Sequence, residues 1–143
     1  MSNVIVLPGV VPDDELDDNL PIRIEPGEYS AVYLRHQGLR VFQTPKIRAD
    51  FKLLAVPGLT LSRWYRVSDH RAGRLRAGRK SDLVRELTAV LGTRIRTDRI
   101  PLASLKGLEI LVEVKDVTHD YNQRSLHELN RYSSIARMIR RAP

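Results

Sequence analysis

The sequence predicts an all-β domain with one inserted helix. Three observations predict it. Lys46–Leu54 (KIRADFKLL) alternates strictly, with Ile47, Ala49, Phe51 and Leu53 on one side and Lys46, Arg48, Asp50 and Lys52 on the other. A Pro57-Gly58 turn then returns the chain through a second extended run, Leu59–Val67. Only one stretch, Lys80–Leu91, carries a helical period, and extended runs follow it.

Taken in order, Met1–Pro21 is broken by Pro8, Gly9 and Pro12 and then turns acidic. It is expected to be a disordered or loosely docked tail on a domain covering 22–143. Pro26-Gly27 reads as a turn. Glu28–Arg35 (EYSAVYLR) is rich in Tyr and Val and is the first expected strand, closed by Gly38. Leu39–Gln43 reads as a separate extended piece, with a break at Thr44-Pro45. Lys46–Leu54 and Leu59–Val67 follow as a hairpin. In the second of these, Leu59, Leu61, Tyr65 and Val67 share the inner face, interrupted by Arg63. Thr60, Ser62, Trp64 and Arg66 share the outer one. In the helix, Ser81 is the expected N-cap, and Leu83, Val84, Leu87, Val90 and Leu91 form the apolar stripe that Gly92 ends. Pro101–Lys106 suits one helical turn before Gly107. Leu108–Thr118 alternates again as a strand. His119–Asn130 is a polar loop, and Arg131–Arg140 is the last strand.

Three strands, a helix and two strands is the element order of the OB-fold, a five-stranded, partly open Greek-key β-barrel. That fold offers the face of its second and third strands to oligonucleotides.

The chain of 143 residues has a net charge of +7, unevenly spread. Residues 1–28 hold one basic and seven acidic side chains (net −6); the remainder holds 23 and 10 (net +13). Seven of the basic residues fall in Arg63–Lys80 (RWYRVSDHRAGRLRAGRK): Arg63, Arg66, Arg71, Arg74, Arg76, Arg79 and Lys80. From Ser68 on, this stretch reads as an arginine loop without apolar period. Guanidinium forks suit phosphates and aromatic rings stack on bases, so the chemistry fits a single-stranded polyanion. The expected contact residues are Lys46, Arg48, Lys52, Arg63, Trp64, Arg66, Arg71, Arg74, Arg76, Arg79 and Lys80, with Tyr65 or Tyr33 as further stacking rings. The alternative is a solvated basic loop behind a core aromatic pair. The acidic segment Asp13–Asp18 is expected to contact the same basic surface.

Catalytic patterns are missing. The four histidines His36, His70, His119 and His127 show no metal-binding spacing. Ser133-Ser134 has no nucleophile-elbow glycines. RAGRLRAGRK lacks the spacing of a P-loop, and Asp116 with Asp120 is explained by a strand entering a turn. With no cysteine, thiolate metal sites and disulfides are excluded. No apolar run approaches the ~20 residues of a membrane span, and Met1–Val11 lacks a basic leader region. A cytoplasmic, non-enzymatic protein without cofactor or metal is expected.

The segments GLEILVEVKDVTHDYNQRSLHELNRYSSI, PGEYSAVYL and KIRADFKLL together carry a resemblance, spanning roughly Glu25 to Ile139. In layout they resemble the small OB-fold single-stranded DNA-binding proteins of phages and mobile elements. The resemblance implies a role in DNA replication or recombination. It implies single-stranded DNA or RNA as ligand and replication or recombination proteins as partners, and it leaves a homo-oligomer open. The chain departs from bacterial single-stranded-binding proteins in carrying its acidic segment near the N-terminus and ending in MIRRAP. The competing expectation is a non-enzymatic interaction module that grips an acidic protein through its arginine loop.

Overall fold

The computed structural model describes residues 23–118 and 132–143. The expectations placed on Asp13–Asp18, His119, Asp120 and His127 lie outside those residues. The described chain forms five strands: β1 (Gly27–Val41), β2 (Thr44–Leu53), β3 (Thr60–Arg66), β4 (Glu109–Val117) and β5 (Tyr132–Arg141). The helix α1 (Asp82–Leu91) and two 3₁₀ turns, Arg71–Gly73 and Leu102–Leu105, lie between β3 and β4. All strand pairs are antiparallel, in the order β3-β2-β1-β4-β5.

The sheet is therefore one five-stranded layer with β3 and β5 as its edges, and it is not closed into a barrel by any strand ladder among the described residues. The two edges nevertheless come together. Ser134 Oγ on β5 donates to the Ser62 carbonyl on β3 at 3.1 Å, and α1 packs against both strands.

The first strand corrects the sequence-based expectation. Glu28–Arg35 and Leu39–Gln43 are one continuous strand. A bulge at Leu34, where the pairing with β2 slips between Tyr33 and Arg35, inserts one residue. It bends the strand and flips its parity. Ala31 and Tyr33 face the core before it, whereas Arg35 and Gln37 pair opposite the outer residues Asp50 and Arg48 after it. The reversal comes at Phe42-Gln43, both with positive φ (51° and 64°), rather than at Thr44-Pro45. Two consecutive left-handed residues suit the right-handed twist of a tight hairpin. Pro45 is tolerated at the start of β2, where it accepts the Val67 N–H at 3.2 Å.

The alternation in β2 and β3 places Ile47, Ala49, Phe51, Leu53, Leu61 and Tyr65 in the core as expected. The α1 stripe Leu83, Val84, Leu87 and Val90 covers them, with Leu102 and Leu105 from the second 3₁₀ turn. Ser81 caps α1 by accepting the Val84 N–H at 3.3 Å, and Gly92 ends it in the left-handed conformation.

One buried carboxylate joins three elements. Glu86 of α1 accepts from Arg63 Nη2 at 2.6 Å and Tyr65 Oη at 2.7 Å on β3, and from the Met138 N–H at 2.8 Å on β5. Arg63 also donates to the Trp64 carbonyl at 2.7 Å and lies 4.4 Å above the Tyr65 ring. Burial alone would lower the Arg63 pKa, but its bond to Glu86 and the charge of Glu86 outweigh that and raise it. Burial, followed by the charge of Glu86, pushes the Tyr65 hydroxyl well above its ordinary value of 10.0.

The sign of the Tyr65 shift gives a prediction. A folded pKa above the unfolded one means that the native state keeps its proton longer. Its stabilisation is complete below about pH 10 and is lost as the pH rises from there toward the folded value. Urea midpoints should hold up to about pH 10 and fall beyond it, and Tyr65→Phe should flatten that fall. An unchanged alkaline slope in Tyr65→Phe would exclude this tyrosine as its source.

Candidate nucleic-acid interface

The outer face of β1, β2 and β3 is built in cross-strand rows. Gln37, Arg48 and Trp64 form one row; Leu39, Lys46 and Arg66 form the next toward the hairpin end. Arg35, Asp50 and Ser62 form a third, and Val32, Lys52 and Thr60 a fourth. Trp64 is half-buried on this face, as its parity predicts, and Arg66 and Lys52 are exposed. Lys46 is half-buried.

The face is not uniformly wet. Asp50, expected among the solvated residues, is only 3% exposed. Its carboxylate accepts from Ser62 Oγ at 2.7 Å and lies 3.2 Å from Arg35 Nε and 3.1 Å from Arg48 Nε. Arg48 also donates to Gln37 Oε1 at 3.2 Å, so its guanidinium is held beside Trp64 by Gln37 in its own row and Asp50 in the adjacent one. A charge under two guanidiniums fixes their direction while leaving the cluster net positive.

Arg63 belongs elsewhere. Its inner-face parity and its bonds to Glu86 commit it to the core network, which corrects its expected place among the contact residues. Tyr65 and Tyr33, expected as further stacking rings, are 2% and 6% exposed and present no ring to a ligand. Tyr33 is bonded through its hydroxyl to His36 Nδ1. Burial, helped by the Lys106 charge, keeps the His36 pKa below its usual value and favours the neutral imidazole that can accept there.

The arginine loop has more order than its composition suggests. Leu75 and Ala77 are buried while Arg74 and Arg76 point out, a period of two within the apparently aperiodic run. Arg76 bridges to Asp69 in antiparallel fashion, its N–H reaching the Asp69 carbonyl at 2.9 Å. On the other side, Ala77 N–H bonds to Thr97 O at 3.2 Å and Ile100 N–H to Leu75 O at 2.8 Å. The loop is thus a strap held on both flanks by backbone bonds.

The strap is anchored at the hairpin end of the sheet. His70 Nε2 donates to the Leu39 carbonyl at 3.1 Å, and its ring lies so close to Gly38 that a Cβ there would sit 2.8 Å from it. Glycine is required at position 38 for this approach. Arg71, Arg74, Arg76 and Arg99 then line an open cleft of ≈ 630 Å³ with Asp69. The Arg71 backbone N–H and side chain hold the Asp69 carboxyl below the usual range. Arg99, from the basic connector, is a member that sequence order alone does not place there. Lys80 shares a second, smaller groove of ≈ 390 Å³ with Arg66. Arg79 points away from both and lines a third cleft behind α1.

The structure therefore brings Lys46, Arg48, Lys52, Trp64 and Arg66 onto one face. It gathers Arg71, Arg74 and Arg76 with Arg99 at the end of that sheet and places Lys80 in a separate groove with Arg66. Phe42, largely exposed at the tip of the β1–β2 hairpin, adds an aromatic ring that the sequence reading passed over because it expected no turn there.

The other chemistry set aside from the sequence has structural partners. Asp116 is bonded by Arg23 Nη2 at 2.8 Å, and Ser133 Oγ accepts the Ile24 N–H at 2.8 Å. No cluster of three metal-ligating side chains occurs among the described residues. No helix among them is long and apolar enough to cross a membrane. Fold and face together define a basic, five-stranded antiparallel β protein with one helix and an aromatic set among cations. Comparison with protein-family models, curated proteins and solved structures finds no match for this chain.

Proposed function

We propose that this protein binds single-stranded DNA, without enzymatic activity and largely independently of sequence, on the outer face of β2 and β3. The observation that carries the reading is Trp64, half-buried on a sheet face, paired across the strand with a guanidinium that Gln37 and Asp50 hold in place. Stacking on the indole would hold a base, and Lys46, Arg48, Lys52 and Arg66 would neutralise the phosphates beside it. The strap cleft of Arg71, Arg74, Arg76 and Arg99 would take the backbone beyond the sheet end.

The strand order supports an OB-fold-like reading. β4 lies beside β1, so β4-β1-β2-β3 has the spatial order of a Greek key. The approach of Ser134 to Ser62 sets the edges β5 and β3 where a partly open barrel would bring them together. On this reading the protein acts in the cytoplasm, in replication or recombination of a phage or other mobile element.

Trp64 is the only tryptophan, which makes the test direct. Oligo-dT should quench its fluorescence, and salt should reverse the quenching. Log affinity should fall linearly with log salt, with a slope of about −0.7 per phosphate neutralised. Arg74→Ala combined with Arg76→Ala should make that slope shallower by about 1.4. If oligo-dT neither quenches nor binds while an acidic peptide does, the strap serves a protein partner instead.

A further inference from the structure

Between α1 and the connector that follows it, at its rear, lies a cleft of ≈ 860 Å³. Arg79, Arg85, Arg94 and Arg96 ring it, and Val84 and Ile95 form part of its floor. No aromatic side chain lines it. Arg85 and Arg96 are paired with the exposed carboxylates Asp82 and Asp98, the second at 2.7 Å. Exposed pairs of this kind contribute little and exchange readily for another anion. Arg79 and Arg94 have no carboxylate within ion-pair distance among the described residues. Their charges are held at the cleft outside any ion pair, and Asp98 is the one carboxylate among its lining residues.

The cleft is joined to the proposed interface by neighbours along the chain and by one ion pair. Arg66 on β3 and Lys80 share one groove with Asp82. Arg79, next to Lys80, and Arg85, paired with Asp82, open into the larger cleft. Cations thus run from the sheet face, past the start of α1, to its rear.

We propose that this rear cleft is a second phosphate track, which carries the same single strand onward after it leaves Trp64. The proposal rests on the single-stranded DNA reading and extends it to a site of two unlike parts. The sheet face stacks bases and holds phosphates. The rear cleft, with guanidiniums over an aliphatic floor, holds the sugar-phosphate backbone and leaves the bases outward. Its contribution is electrostatic, so it lengthens the site and steepens the salt dependence without adding stacking.

Oligo-dT length separates the parts. Labelled oligo-dT of about 4 and about 16 nucleotides, the limits of site size for folds of this kind, would be titrated by fluorescence anisotropy. The native protein would be compared with Arg79→Ala/Arg94→Ala and with Lys106→Ala/Lys115→Ala, which removes the same charge away from the cleft. All substituted side chains are exposed, and thermal melts would verify folding. The expected result is that Arg79→Ala/Arg94→Ala leaves the short oligonucleotide's affinity unchanged, weakens the long one and reduces its salt slope by about 1.4. The control should do neither. Equal weakening of both lengths, no weakening of either, or the same effect from the control would overturn the second track while leaving the sheet-face reading intact. Failure of the native protein to bind either length would instead remove the sheet-face reading, and the track with it.

Discussion

Trp64→Ala is expected to weaken binding of single-stranded oligo-dT by about 5- to 150-fold while leaving the salt slope unchanged. The magnitude is that of one base–aromatic stack, ~1–3 kcal/mol. The unchanged slope follows from the separation of roles on the face. Lys46, Lys52 and Arg66 reach solvent without help from the indole, and Arg48 is oriented by Gln37 and Asp50. Removing the ring should therefore delete stacking and spare the phosphate contacts. Labelled-oligonucleotide anisotropy at four or five salt concentrations gives both quantities. Trp64→Phe, which keeps a π face of smaller area, should recover much of the loss. A different pattern would be just as informative. If the slope flattens in Trp64→Ala, the half-buried indole packs the cations into place and is a scaffold residue. If affinity is untouched, bases do not meet this face at all.

What made this face legible in the sequence was parity. β2 alternates without interruption, and β3 returns through a Pro-Gly turn, so Lys46–Leu53 and Thr60–Arg66 can each be assigned a side. Parity failed where the chain breaks its own period. The Leu34 bulge moves one residue out of step in β1, and nothing in EYSAVYLR announces it. The turn at Phe42-Gln43 contains neither glycine nor asparagine, the residues that mark a left-handed pair, so the nearest proline is the stronger local signal of a break. The order of the strap is hidden for another reason. Leu75 and Ala77 alternate with Arg74 and Arg76 over only four residues, and what fixes them is backbone bonding to Asp69 nearby and to Thr97 and Ile100, 20 or more residues on.

Charge carried information that composition hid. Asp50 and Glu86 are both acids with buried side chains, and each sits where an opposite charge can find it across an element boundary. Arg63 interrupts the inner stripe of β3, and Glu86 falls among the apolar residues of α1, three after Leu83. Either alone reads as an exception. Two opposite exceptions, each facing the same core, amount to one buried pair, and that pairing was available before any coordinates.

The consequence of that pair is a large effect on stability. Glu86→Ala is expected to destabilise the fold by about 3–5 kcal/mol, the range for removing one partner of a buried ion pair. Three groups lose an acceptor at once: the Arg63 guanidinium, which keeps only its bond to the Trp64 carbonyl and a longer pairing with Asp82, the Tyr65 hydroxyl and the Met138 N–H. Because no ladder joins β3 to β5 among the described residues, this carboxylate and the Ser134–Ser62 bond are polar links between the two sheet edges. Urea unfolding should show a midpoint lowered without a large change in slope. Native-state hydrogen exchange should show early loss of protection at the Met138 amide. Arg63→Met/Glu86→Leu should be far less damaging than Glu86→Ala, because it removes both charges and leaves no orphaned guanidinium in the core. A loss below about 1 kcal/mol in Glu86→Ala, the scale of an exposed pair, would mean that water already reaches the carboxylate. In that case α1 would not hold the edges together, and the Trp64 face would have to be held flat by the β2–β3 ladder alone.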